Sequence, residues 1–232
     1  MPKPIKKRIP KKPTSVEVNV KDKLTSLKDI IDEHQKTVLK YGAVIIVTFI
    51  AIISFIIYSH TSDKKAKILD YEAYKIYYNE YQKPSLNKEE QYKKALDLFK
   101  KAYDKKKKPI SLFYIAACYY ELGKYDDAMT TLKDFTQRYS SEDNLIPLAY
   151  QKITMVYVKK GDIPGAMKTL DNLYNLKVEF YKDFALMEYG RLLEKEGKKD
   201  KAMNKYKELT TKFPNSPFFD EANTKLLEKK TS

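Results

Sequence analysis

An all-α fold, a single transmembrane helix followed by an α-solenoid of helix-turn-helix repeats, is predicted by three features of the 232-residue sequence. Tyr41 to Ser59, YGAVIIVTFIAIISFIIYS, runs nineteen residues without a charge in an otherwise hydrophilic chain. Beyond it, apolar residues recur at spacings of three and four, strand-like alternation is lacking, and Gly and Pro fall at helix ends. Finally, Ala95, Ala128, Ala166 and Ala202 each open the same pattern, an apolar residue four positions later and another three after that.

Residues 1–23, MPKPIKKRIPKKPTSVEVNVKDK, combine four prolines with a lysine cluster and few large apolar groups, so a disordered basic tail is expected. From residue 24 to 40, Leu24, Leu27, Ile31 and Val38 recur at helical spacing, and Ser26 followed by Asp29 reads as a capping signal. A short amphipathic helix should lead into the span at 41–59. At about 1.5 Å of rise per residue, nineteen residues cross roughly the ~30 Å hydrocarbon core, with Tyr41 and Tyr58 at the interfaces. A cleaved signal peptide fits poorly: forty residues precede the segment and no small-residue triplet follows it.

Orientation follows from Lys and Arg on the two sides. Within twenty residues there are five before the span (Lys21, Lys23, Lys28, Lys36, Lys40) and four after it (Lys64, Lys65, Lys67, Lys75). Six more between Lys3 and Lys12 add to the N-terminal side, which places the N-terminus in the cytoplasm and exports residues 63–232.

The exported part opens with a helix carrying Tyr71, Tyr74, Tyr78 and Tyr81, a face of rings expected to pack on the next helix. An inserted turn is expected at Lys83 to Asn87, and the run Lys105 to Lys108 reads as an inter-helix turn before Pro109. No aromatic residues interleave that run, which argues against a nucleic-acid patch, so nucleic acid is not an expected partner. Cys118, beside Ala116 and Ala117, reads as a buried packing residue; no intramolecular disulfide can form and no histidine follows His60 to activate it.

The alanines are spaced by 33, 38 and 36 residues, bracketing the roughly 34-residue period of a helix-turn-helix repeat. The last three each lie five residues after a glycine, Gly123, Gly161 or Gly197, where a left-handed residue can end one helix and turn into its partner. SLFYIAACYYELGKYDDAMTTLKDF and FALMEYGRLLEKEGKKDKAMNKYKELTTKFPNS resemble the tetratricopeptide repeat, with Gly190, Ala202, Tyr206 and Pro214 on consensus-like positions. Ala116 and Thr154 stand where that consensus prefers glycine, and a final helix from about Pro217 to Lys229 should cap the stack.

The resemblance implies that the first helix of each repeat lines a concave groove for peptide segments. In that register the groove presents Phe113, Ala117 and Tyr120, then Gln151, Met155 and Val158, then Met187 and Arg191, a mostly apolar surface suited to loose capture of hydrophobic segments. No G-x-G-x-x-G, P-loop or H-E-x-x-H occurs, and with six glycines and two histidines there is little from which to build a phosphate cradle or metal site. Asp126-Asp127 and Glu89-Glu90 sit at helix starts, where they complement the helix dipole. No catalytic activity, metal or cofactor is expected.

The order of parts, SLKDIIDEHQKTVLKYG, one anchor, DKKAKILDYEAYKIYYNEY and the repeats, resembles the bacterial YfgM family. That resemblance implies an ancillary subunit of the Sec translocon in the bacterial inner membrane. Its periplasmic domain would act beside periplasmic chaperones on exported polypeptides. The competing class is a structural scaffold for a cell-envelope assembly such as a pilus, division or secretion complex; a basic nucleic-acid-binding domain is the third.

Overall fold

The computed structural model describes residues 22–26, 28–29, 32, 35–80 and 87–228. Most of the expected tail, Leu27, Ile31, Tyr81 and Lys83 to Leu86 of the expected insertion lie outside the described residues. Contacts divide the chain into two compact units, residues 1–60 and 61–232.

In the first unit every described residue from Asp22 to Lys40 is helical. Ser26 is not a cap: residues 22–26 are all helical, so its hydroxyl lies within the helix and donates to the Lys23 carbonyl at 3.0 Å. Helix α1 (Gln35–Tyr77) contains the apolar run and is long and apolar enough to cross a membrane. Its large apolar side chains between Val44 and Tyr58 are 42 to 71% exposed, so no surface among the described residues covers them. Thr48, inside the run, donates to the Val44 carbonyl at 2.8 Å, which satisfies it within the helix.

The second unit is built from helix pairs. After the end of α1 come α2 (Lys88–Lys105), α3 (Pro109–Glu121), α4 (Tyr125–Arg138), α5 (Ile146–Lys159), α6 (Ile163–Tyr174), α7 (Lys182–Lys195), α8 (Lys199–Lys212) and α9 (Phe219–Glu228). Local sequence sets these bounds. Asn87 caps α2 by accepting from Glu90 N at 2.8 Å, and Asp162 caps α6 by accepting from Gly165 N at 2.8 Å. Pro109, Pro147 and Pro164 sit in first turns, where a missing N–H is harmless. Gly123, Gly161 and Gly197 take φ of 71°, 78° and 73°, the left-handed geometry that turns α3 into α4, α5 into α6 and α7 into α8.

Burial follows the alanine pattern. None of the twelve side chains of Ala95-Phe99-Ala102, Ala128-Leu132-Phe135, Ala166-Leu170-Leu173 and Ala202-Tyr206-Leu209 is more than 1% exposed. The core is a succession of clusters along the chain. One runs from Ala73 to Val156, the next joins Ile163, Leu170 and Leu192, and the last joins Met187, Tyr206 and Ala222 of α9. Ala116 and Thr154 are buried at the consensus glycine positions, with the Thr154 hydroxyl satisfied by the Tyr150 carbonyl at 2.9 Å. Cys118 is fully buried, and burial pushes its thiol up to about 12, so it stays protonated.

The tyrosine face of α1 departs from expectation. Tyr74 and Tyr78 do not pack on the next helix; they meet Tyr114 of α3, with ring centroids 5.7 and 6.3 Å away. Tyr77, one position off the expected stripe, is the pivot, 5.4 Å from both Tyr92 of α2 and Tyr114. The reason is the small-residue edge of the helix. Ala66 and Ala73 are fully buried, seven residues apart on one face, and Tyr77 follows Ala73 by one turn.

Candidate partner-binding surface

The surface begins on helices with almost no charge of their own. Helix α3, PISLFYIAACYYE, carries one ionisable acid or base, Glu121 at its last position, and α5, IPLAYQKITMVYVK, carries a single internal one, Lys152. The fold brings these two together. Glu121 lies 3.8 Å from the Lys152 ammonium and accepts from the Tyr77 hydroxyl at 3.5 Å, while Lys152 sits 4.7 Å above the Tyr120 ring.

Electrostatics follow from partial burial. Desolvation holds Lys152 below its ordinary pKa, and the Glu121 carboxylate pulls it back up. Burial raises the Tyr77 and Tyr120 phenols, with the Glu121 charge adding to both. The result is a lysine of α5 held over a ring and beside a carboxylate of α3, with the Tyr77 hydroxyl of α1 donating to that carboxylate.

At the α7 end a second polar cluster forms. Arg191 donates to both carboxylate oxygens of Glu221 on α9, Nη2 at 2.5 Å and Nε at 3.1 Å, and also pairs with Glu188. Lys225 of α9 reaches Glu194 at 3.2 Å, which in turn accepts from the Tyr206 hydroxyl at 3.1 Å. Through these contacts α9 is fastened to α7 by charge as well as by the buried Ala222.

The eight groove residues expected from sequence divide accordingly. Tyr120, Gln151, Val158 and Arg191 are half-buried and Met155 is 36% exposed, so these five reach solvent. Phe113, Ala117 and Met187 do not line an open surface. Phe113 packs edge-on against Phe135 and Tyr114, Ala117 is buried, and Met187 is fully buried in the α7–α9 cluster. First helices are flanked by second helices on two sides, which leaves a narrower outer strip than an i, i+4, i+7 register assumes. Two charged pairs lie beside these residues, Glu121–Lys152 next to Tyr120 and Gln151, and Glu188–Arg191 on α7. Sequence reasoning passed over Glu121 and Lys152, although a lone charge in each of two apolar helices was the available signal.

Among the described residues no group of three or more His, Cys, Asp or Glu could hold a metal ion. No curated protein matches this sequence. Similar solved structures include MamA (19% identity, 59% of this chain and 75% of that one, TM-score 0.47). A thermophilic tetratricopeptide repeat protein of Thermus thermophilus, TTC0263, is 20% identical over 60% of this chain and 72% of that one, with a TM-score of 0.44. The TPR2AB domain of yeast Sti1, in a complex with pHSP90, is 18% identical over 71% and 72%, with a TM-score of 0.41. Residues 32–230 match the tetratricopeptide repeat-like domain, nearly the whole chain from the segment before the apolar run to α9, and the protein belongs to that family.

Proposed function

We propose that this protein is a membrane-tethered repeat protein that binds polypeptides or partner proteins at the exported face of a bacterial inner membrane, as an ancillary translocon subunit. Membership of a tetratricopeptide repeat-like family points to protein–protein binding, on a fold that is typically a non-catalytic interaction scaffold. The observation that carries the proposal is the bare apolar helix in the same chain. Side chains such as Ile45, Phe49 and Phe55, at 67, 63 and 70% exposure, make an apolar surface that water does not tolerate and a bilayer does. A tether of this kind raises the effective concentration of a weak binder at the exit of a channel.

The domain plan is a cytoplasmic tail at 1–23, a juxtamembrane helix at 24–40, a span at 41–59 and an exported domain at 63–232. The resemblance to the YfgM family and the Lys/Arg excess before the span support this orientation and the translocon assignment. The binding strip is formed by Tyr120, Gln151, Met155, Val158 and Arg191, with Phe113, Ala117 and Met187 as the packed layer beneath.

Crosslinking in native membranes, followed by identification of partners, tests the assignment. Recovery of translocon subunits, periplasmic chaperones or exported chains supports it; recovery of one envelope assembly with none of these sinks it. For the strip, Met155→Glu places a charge at an exposed position and should weaken binding of unfolded polypeptide several-fold in the reconstituted full-length protein. Unchanged binding in a folded variant removes Met155 from the site. The scaffold reading draws on one feature, the Glu121–Lys152 and Arg191–Glu221 pairs, because a mixed polar strip fits one folded partner better than many hydrophobic segments.

A further inference from the structure

The four-lysine run Lys105–Lys108 has no part in the stack's core or in the binding strip, yet the fold holds it in a definite place. Lys106 ends α2 by donating its N–H to the Ala102 carbonyl at 3.0 Å, and the Tyr139 hydroxyl donates to the Lys107 carbonyl at 3.0 Å. Lys108 makes an ion pair with Asp63 at 2.8 Å. That last contact matters most, because Asp63 is only four residues beyond Ser59, the end of the apolar run.

Chain length sets a bound on the distance. Four residues reach at most about 14 Å even when fully extended, so Asp63, and the Lys108 ammonium paired with it, stay close to the end of the run. A headgroup layer of roughly 6 Å and a Debye length of about 8 to 10 Å cover that reach. Lys64, Lys65 and Lys67 lie on the same stretch of α1. Lys64, Lys65, Lys105, Lys106 and Lys107 are all exposed or nearly so. Against seven lysines in segments 63–67 and 104–108 stand two carboxylates, Asp63, which binds Lys67 and Lys108, and Asp104, which binds Lys107.

We infer that Lys64, Lys65, Lys67 and Lys105–Lys108 form a basic collar that binds anionic phospholipid headgroups on the side of the membrane where the repeats lie. The inference rests on residues 41–59 spanning the bilayer. A lysine near an anionic surface contributes roughly fivefold in association, so the three exposed lysines 105–107 are enough to hold this segment against the headgroups.

The test uses the full-length protein in lipid nanodiscs of phosphatidylcholine alone or with phosphatidylglycerol, followed by hydrogen–deuterium exchange. Amides of residues 104–108 should exchange several-fold more slowly in the anionic discs, and the difference should vanish in high salt and in the triple variant K105Q, K106Q, K107Q. These three side chains are exposed, so the variant keeps its fold, which unchanged exchange in α5 to α8 would verify. Incorporation with equal exchange in both lipids overturns the collar and leaves the anchor standing. Failure to incorporate into either overturns the anchor and the collar with it. Protection by added polyglutamate but not by phosphatidylglycerol overturns the lipid in favour of an acidic polypeptide.

Discussion

At Gly190 the two helices of a repeat come as close as an absent side chain allows. A Cβ there would lie 2.3 Å from Cε1 of Tyr206, a fully buried ring whose hydroxyl is already committed to Glu194, so neither partner can give way. Gly190→Ala should therefore cost about 1 to 3 kcal/mol through overpacking, read as a lower denaturation midpoint. Asp63 and Asp70, two turns apart on α1, respond to pH in opposite senses. Hydrogen bonds from Lys108 and then Lys67 hold Asp63 down to about 2, so its contribution is present above the unfolded carboxylate pKa and is lost as pH falls toward 2. Burial raises Asp70, with the Ser111 hydroxyl, 2.7 Å away, pulling the other way. Stability from such a group is present below the unfolded pKa and lost as pH rises through the folded one, so ionised Asp70 opposes folding at neutral pH. Asp70→Asn keeps the acceptor for Ser111 and should melt above wild type at pH 7, the gap closing as the pH is lowered through the carboxylate range.

Helix α9 is short, its Leu227 is 52% exposed, and among its residues only Ala222 is fully buried, so its place depends on side chains that reach across from α7. Arg191→Ala removes the two-pronged grip on Glu221; being partly exposed, the pair is worth at most about 1 kcal/mol. The expected outcome is faster amide exchange within Phe219–Glu228 with little change in α3 and α4. The ring spacing of helix α1 was visible in sequence, but which ring turns inward depends on Ala66 and Ala73, small residues whose burial no apolar-periodicity count weighs heavily.

Over the whole repeat unit, cores follow one another along the chain, and the last of them, which holds Ala222 of α9, contains no buried residue of α2 to α5. Such a stack is stabilised by nearest-neighbour interfaces, so loss of one end should fade with distance. Truncation after Asn215, which removes α9, should accelerate exchange most in α8 and α7, less in α5 and α6, and least in α3 and α4. Uniform acceleration would mean that the stack unfolds as one cooperative body.

Sequence alone determined the all-α class, the repeat, its turn glycines and the alanine pattern that the core follows. Those depend on local rules, a period near four, a left-handed residue after each first helix, and small residues where helices cross. It also marked the apolar helix, since nineteen uncharged residues state their own solubility. Tertiary structure decided what lay between helices. It buried Phe113, Ala117 and Met187 beneath the strip, joined Glu121 to Lys152, and set Tyr77 rather than Tyr71 against α3. It also bound Lys108 to Asp63, tying a lysine run to a residue four positions past the apolar stretch. Each of those outcomes depends on which faces of separate helices meet, a relation between residues tens of positions apart that periodicity within one helix does not encode.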